Sequence, residues 1–139
     1  MNAMNAANIG NIGTSNSSKG ARIVIFMFWL ATSAKVYHWQ TTKYANHQAA
    51  GGLFDDIVKL TDEFVEKFIG VYGRPKFPEG VNIPINDMTK DRMLQTISIA
   101  KTFMKGTLQK YVAKDTELQN IRDEMLASLD QASYLLTLE

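Results

Sequence analysis

The chain has 139 residues, 45% of them hydrophobic and 21% charged, with a net charge of +1. That is one domain with an ordinary apolar core, and so even a charge balance gives no reason to expect nucleic acid or a membrane surface as partner. The absence of cysteine excludes disulfides, zinc ribbons, iron–sulfur clusters and thiol chemistry, and leaves His, Asp, Glu and water as metal donors, a set suited to iron, manganese or zinc.

The first 19 residues are mostly Asn, Ala, Gly, Ser and Ile, with almost no charge and with repeated pieces, Met1-Asn2-Ala3 with Met4-Asn5-Ala6 and Asn8-Ile9-Gly10 with Asn11-Ile12-Gly13. Residues 1–20 are therefore expected to be a flexible low-complexity arm, and residues 21–139 the folded domain. A first helix is expected from Ala21 to Gln40. Its uncharged stretch Ile23–Ala34 falls short of the roughly 20 residues that a membrane span needs, so a buried helix is the reading. Apolar residues surround this helix instead of forming one stripe, which requires cover on more than one side, from its own bundle or from a partner.

A short break at Thr41 to Tyr44, with Thr41 or Thr42 as cap, leads into a second helix from Tyr44 to Ile69. Ala50, Leu53, Phe54, Ile57, Val58, Phe64, Val65 and Phe68 recur at helical spacing as its inward face, and Gly70 and Gly73-Arg74-Pro75 stop it. All three prolines fall in Pro75 to Asp87, read as a crossing loop. A third helix from Thr89 to Val112 turns Met93, Leu94, Ile97, Ala100, Phe103, Met104, Leu108 and Tyr111 inward. Thr116-Glu117-Leu118-Gln119 fits a capping box that opens a fourth helix, which buries Leu118, Ile121, Met125, Leu129, Ala132 and Leu136. The expected fold is all-α: a ferritin-like four-helix bundle with a long crossover between its second and third helices.

The chemistry-bearing residues are the two histidines, His38 and His47, and the carboxylates Asp62 and Glu66. On the second helix, Asp62 lies about 60° and Glu66 about 100° around from His47, with Asp55 at about 80°, all on one flank of the apolar face. Fifteen residues nevertheless separate His47 from Asp62, roughly 22 Å along a helix, so one chain cannot bring them to one metal. Folding the first helix back puts His38 beside the start of the second helix and residues near Phe26 beside Asp62. A two-fold axis between two such hairpins completes the set, laying the histidine end of one chain on the carboxylate end of the other.

This run resembles the Dps family of ferritin-like mini-ferritins (DNA-binding proteins from starved cells). The matching residues are His38-Trp39, then His47, with Asp62 at +15 and Glu66 at +19, the spacing of that family's ferroxidase site; the match covers about residues 35–70. The resemblance implies metal sites shared between two-fold-related subunits, with His38, His47, Asp62 and Glu66 as metal-binding and catalytic residues. It also implies a cage of twelve subunits, Fe(II) oxidation by hydrogen peroxide or oxygen, and stored mineral. Three features depart from the family. Gly51 stands where an acidic ligand is usual, with Asp55 one turn on as its substitute. The first turn is shorter. The arm carries only Lys19 and Arg22, so DNA binding through a lysine-rich tail is not expected. No Glu-x-x-His occurs, which excludes an internal ferritin-type di-iron site. Short relatives of this appearance suggest a phage- or virus-encoded protein, so the expected location is the cytoplasm or a virion.

Simpler readings stand beside these. A single histidine or helix-surface acid is usually structural or solvated, and Asp55, Asp56 and Glu63 are read first as solvated or interface charges. Trp39 is a packing residue or, by resemblance, a radical sink beside iron. Tyr37 and Tyr44 belong to core or rim, and the Met and Phe residues fill the core. The rival function is a non-enzymatic helical structural or assembly protein, for example a virion component, that keeps the fold with a degenerate site.

Overall fold

The computed structural model describes residues 12–138, so the repeats within residues 1–11 lie outside the described residues. The chain forms four helices and, among the described residues, no strand. They are α1 (Asn16–Gln40), α2 (Tyr44–Tyr72), α3 (Lys90–Phe103, prolonged through a π-helical turn Met104–Leu108 and a last turn Gln109–Tyr111) and α4 (Thr116–Leu135). They pack as a helical bundle around one core, to which every helix contributes fully buried residues, among them Met27, Ile57, Phe64, Ile97, Met104, Met125 and Leu129. Each such side chain contributes about 1.5–3 kcal/mol of burial free energy, which fixes the inward face of each helix.

The start of α1 differs from expectation. It begins at Asn16, not Ala21, because the Ser15 hydroxyl accepts the Ser18 N–H and so caps the first turn. Residues 16–20 of the expected arm are therefore helical. Gly20 lets α1 approach the loop, since a Cβ there would stand 3.1 Å from Pro75. Arg22 ties this end down by donating to the Tyr111 hydroxyl at 2.6 Å and to the Ile12 carbonyl at 2.7 Å. Over its most apolar 18 residues, with a mean hydropathy of 1.2, the 25-residue α1 is long and apolar enough to cross a membrane by length and composition. Two-thirds of that stretch is buried in the bundle, as a core helix requires.

The turn between α1 and α2 is only Thr41–Lys43, so the two helices lie antiparallel and make the most extensive contact in the molecule. The α2 N-cap is Lys43, which supplies no side-chain cap; Thr41 instead accepts the Lys43 N–H at 3.2 Å. Gly70 does not stop α2, which runs on to Tyr72 and ends at Gly73, whose φ of 93° is open to glycine at little cost.

Two sets of bonds fix where the later helices start. Gln40, ending α1, donates to Asp87 at 2.9 Å and accepts the Met88 N–H at 2.6 Å, just ahead of α3. Tyr72, ending α2, donates its hydroxyl to Asp115, just ahead of α4. Thr89 caps α3 by accepting the Arg92 N–H. The π turn carries Gly106 and was not foreshadowed by the apolar periodicity, since Met104 and Leu108, four apart, are both buried either way.

The expected capping box at Thr116 does not form. Asp115 is the N-cap, Thr116 the first helical residue, and the Gln119 side chain donates to the Val112 carbonyl instead of reaching back to a cap. The inward face of α4 is as expected, with Leu118, Ile121, Met125, Leu129, Ala132 and Leu136 all buried. On α2 the expected face is too wide. Leu53, Ile57, Phe64 and Phe68 are core, but Phe54 and Val65 are half-buried and Val58 is 45% exposed. Burial goes instead to Ala49, Leu60 and Thr61, because α2 packs on both α1 and α4 and turns its third side out.

Candidate functional site

The short turn brings His38, in the last turn of α1, against His47, in the first turns of α2. Their rings stack with centroids 3.7 Å apart and planes 18° from parallel. Each ring is held by the other residue's backbone: His38 Nδ1 lies 2.7 Å from the His47 carbonyl, and His47 Nδ1 lies 2.7 Å from the His38 carbonyl. A carbonyl only accepts, so both Nδ1 atoms carry the proton. This fixes both tautomers and leaves both Nε2 atoms without a hydrogen bond among the described residues. The arrangement also serves the helix ends. The His38 carbonyl lies in the last turn of α1, where no N–H four residues on is available, and the His47 ring supplies the missing donor.

Gly51 makes the stack possible. A Cβ built there would meet His38 Nδ1 at 2.8 Å and Cε1 at 3.0 Å. Any larger residue at 51, an acid included, would expel the His38 ring from its seat. The missing side chain at 51 is what seats the histidine.

Gly51, Phe54, Val58, Asp62 and Val65 follow His47 along one stripe of α2, at steps of three or four residues. That stripe faces outward and lies beside a matching one on α1, formed by Val24, Phe28, Lys35 and Trp39. Phe28 is 50% and Trp39 69% exposed. Lys35 bridges the stripes, its ammonium 4.8 Å from the Phe54 ring and 5.7 Å from the Trp39 ring. Asp55, Asp62 and Glu66 are all exposed, and no hydrogen bond or ion pair engages them among the described residues. Asp56 turns the other way and accepts from Ser128 on α4, so it is not part of this face. Tyr37 is core, bonded through its hydroxyl to buried Asn46 at 2.9 Å. Tyr44 is rim, 75% exposed.

Within one chain the structure brings the two histidines together and leaves the carboxylates apart. No group of three or more His, Asp or Glu side chains able to hold a metal occurs among the described residues. The donor set of a single chain therefore does not fit a metal ion. Charge along the hairpin is also polarised. From Ala31 to Phe54 the only charged residues are Lys35 and Lys43, whereas Asp55 to Glu66 carries five carboxylates against one lysine.

The sequence profile of a family of unknown function, DUF5856, matches residues 38–136, well over half of the chain. The chain belongs to this family. The DUF5856 match opens at His38 and takes in His47, Gly51, Asp62 and Glu66. Among curated proteins, an uncharacterized 14.6 kDa protein from the mobD-ri intergenic region of Enterobacteria phage T4 is 27% identical over 105 residues, covering 73% of this chain and 75% of the relative. This member of DUF5856 thus has a phage-encoded relative, and no solved structure matches it.

The stacked histidines and their exchange of carbonyl bonds were not anticipated from the sequence. The available signal was Gly51 itself, a glycine inside an otherwise continuous helix and one turn after His47, where only a close approach repays the lost helix propensity.

Proposed function

We propose that this protein is a Dps-like, ferritin-like metal-binding protein whose sites are shared between two-fold-related copies, with iron as substrate and stored cargo. The observation that carries the reading is the pair of imidazoles whose Nδ1–H groups are each held by a carbonyl, leaving both Nε2 lone pairs free. Metal-ligating histidines commonly have this second-shell arrangement. The helix-end bonds support the ferritin-like topology. Gln40 ties the start of α3 to the end of α1 and Tyr72 ties the start of α4 to the end of α2, as a connection 73–89 returning along the bundle requires.

In this reading His38 and His47 of one copy face Asp62 and Glu66 of the other, with Asp55 as a further carboxylate on the same flank. Imidazole and carboxylate together bind Fe(II), and the carboxylates favour the higher charge of Fe(III). Two Fe(II) then each give one electron to one peroxide, whose O–O bond breaks to two hydroxides. Manganese or zinc suits the same donors. The assembly would be a homo-oligomer, up to a twelve-subunit cage around the mineral, with no role for DNA or a membrane, in the cytoplasm or a virion.

Anaerobic Fe(II) titration followed by peroxide, read by Fe(III) absorbance, tests this. His47→Ala and Asp62→Ala should each lower Fe(II) affinity by at least about tenfold, the loss that even outer-shell changes cause. An equimolar mixture of the two variants, unfolded and refolded together, should recover part of it, since mixed pairs rebuild one intact site. Wild type that binds no Fe(II) sinks the proposal.

One observation favours a second reading. The His38–His47 exchange satisfies backbone groups at the α1–α2 turn and would be retained with no metal at all. On that reading the protein is a helical structural or assembly component, His47→Ala loses thermal stability while Asp62→Ala does not, and neither changes any metal response.

A further inference from the structure

The end of the outer face nearest Asp62 is a groove of about 670 Å³ lined by Val24, Phe28, Val58, Val65 and Phe77. The opposite end of the same face carries Trp39, 69% exposed. A groove and a knob on one surface are self-complementary only if a two-fold axis exchanges them. The register satisfies that condition. Trp39 stands 15 residues from Val24 on α1, and His47 stands 15 residues from Asp62 on α2. Both offsets are about 22 Å, so an axis that lays His47 over the level of the second copy's Asp62 also lays Trp39 over the level of its Val24.

Charge agrees with the same occupant. The Trp39 end carries Lys35 and Lys43 against Asp87, which Gln40 engages, and the groove end carries Asp62, Glu63 and Glu66 against Lys59, which lines the groove. We infer that the groove is a socket for Trp39 of a second copy. The indole fills the space between Phe28, Val58 and Phe77. This rests on the two-fold pairing proposed above but needs no metal.

Sedimentation of the full chain in chelator tests the socket separately from iron chemistry. Trp39→Ala and Val58→Lys, both changes of exposed side chains, should each weaken self-association by at least about 30-fold, as loss of a buried tryptophan anchor does. Mixing the two should restore a heterodimer, because the intact groove of the first variant accepts the intact Trp39 of the second. Trp29 is buried, so the emission difference between wild type and Trp39→Phe isolates Trp39. That component should be blue-shifted and shielded from iodide in wild type, and red-shifted and quenched in Val58→Lys. Wild type that is monomeric with an iodide-accessible Trp39 overturns the inference. So does a folded Trp39→Ala that keeps the wild-type mass. If either variant fails to fold, shielding of Trp39 in wild type decides alone.

Discussion

Gly51 and Gly52 are adjacent in the same helix and have opposite surroundings. A Cβ at 52 meets nothing within 4 Å, whereas one at 51 runs into the His38 ring. Replacing an exposed mid-helix glycine with alanine is worth roughly 0.5–1 kcal/mol. Gly52→Ala should therefore raise the melting temperature. Gly51→Ala gains the same propensity but must displace His38 from the His47 carbonyl, and a hydrogen bond is worth about 0.5–1.5 kcal/mol with a further cost for the orphaned group. The gain is offset or reversed, so Gly51→Ala should melt below Gly52→Ala. It should also show the His38 ring resonances of a solvated side chain. That Asp62 and Glu66 lie too far from His47 to join it within one chain was legible from spacing, because a helix converts sequence offset into distance without help from packing. What could not be read was the orientation of the two imidazoles, which depends on how closely α1 approaches α2 at one residue lacking a side chain.

At the scale of helices, the ends carry the specificity. The Tyr72 hydroxyl is held up to about 12, against an ordinary 10.0, first by its hydrogen bond to Asp115, then by burial and the negative charge of Asp115 and Glu117. A folded value above the unfolded one means the native state keeps a proton that the unfolded chain has lost. The contribution is thus fully present below pH 10 and is lost as pH rises through about 12. Tyr72→Phe should cost about 1 kcal/mol at neutral pH and flatten the fall in stability between pH 10 and pH 12, as measured by urea midpoints across that range. Helix ends were also where sequence reading did least well. Ser15 and Thr89 act as the caps their side chains allow; the third helix starts within one residue of the expected place, but the start of the first was missed, because the run before Ala21 has no apolar periodicity to announce a helix. At α4, Asp115 and Thr116 are both competent caps. The choice fell to Asp115 even though its carboxylate is already engaged by Tyr72, a long-range contact that no local pattern contains. The width of the α2 core face was misjudged for a related reason. Val58 and Val65 are as apolar as core residues, and apolar character alone does not say whether a residue meets its own chain or another.

In the whole molecule, α1 and α2 are joined by three residues and α2 and α3 by the connection 73–89. Closing a short turn costs little chain entropy, and contacts near in sequence form soonest. The hairpin of α1 and α2 should therefore gain amide protection during refolding before α3 does, which pulsed hydrogen exchange can resolve. Both proposed half-sites and the groove proposed to take Trp39, apart from Pro75 and Phe77, lie on that hairpin. On the two-fold pairing proposed above, the surface by which two copies recognise each other is finished while the second half of the chain is still being laid down, so neighbouring nascent chains would meet through residues 16–77 before either has closed its own core.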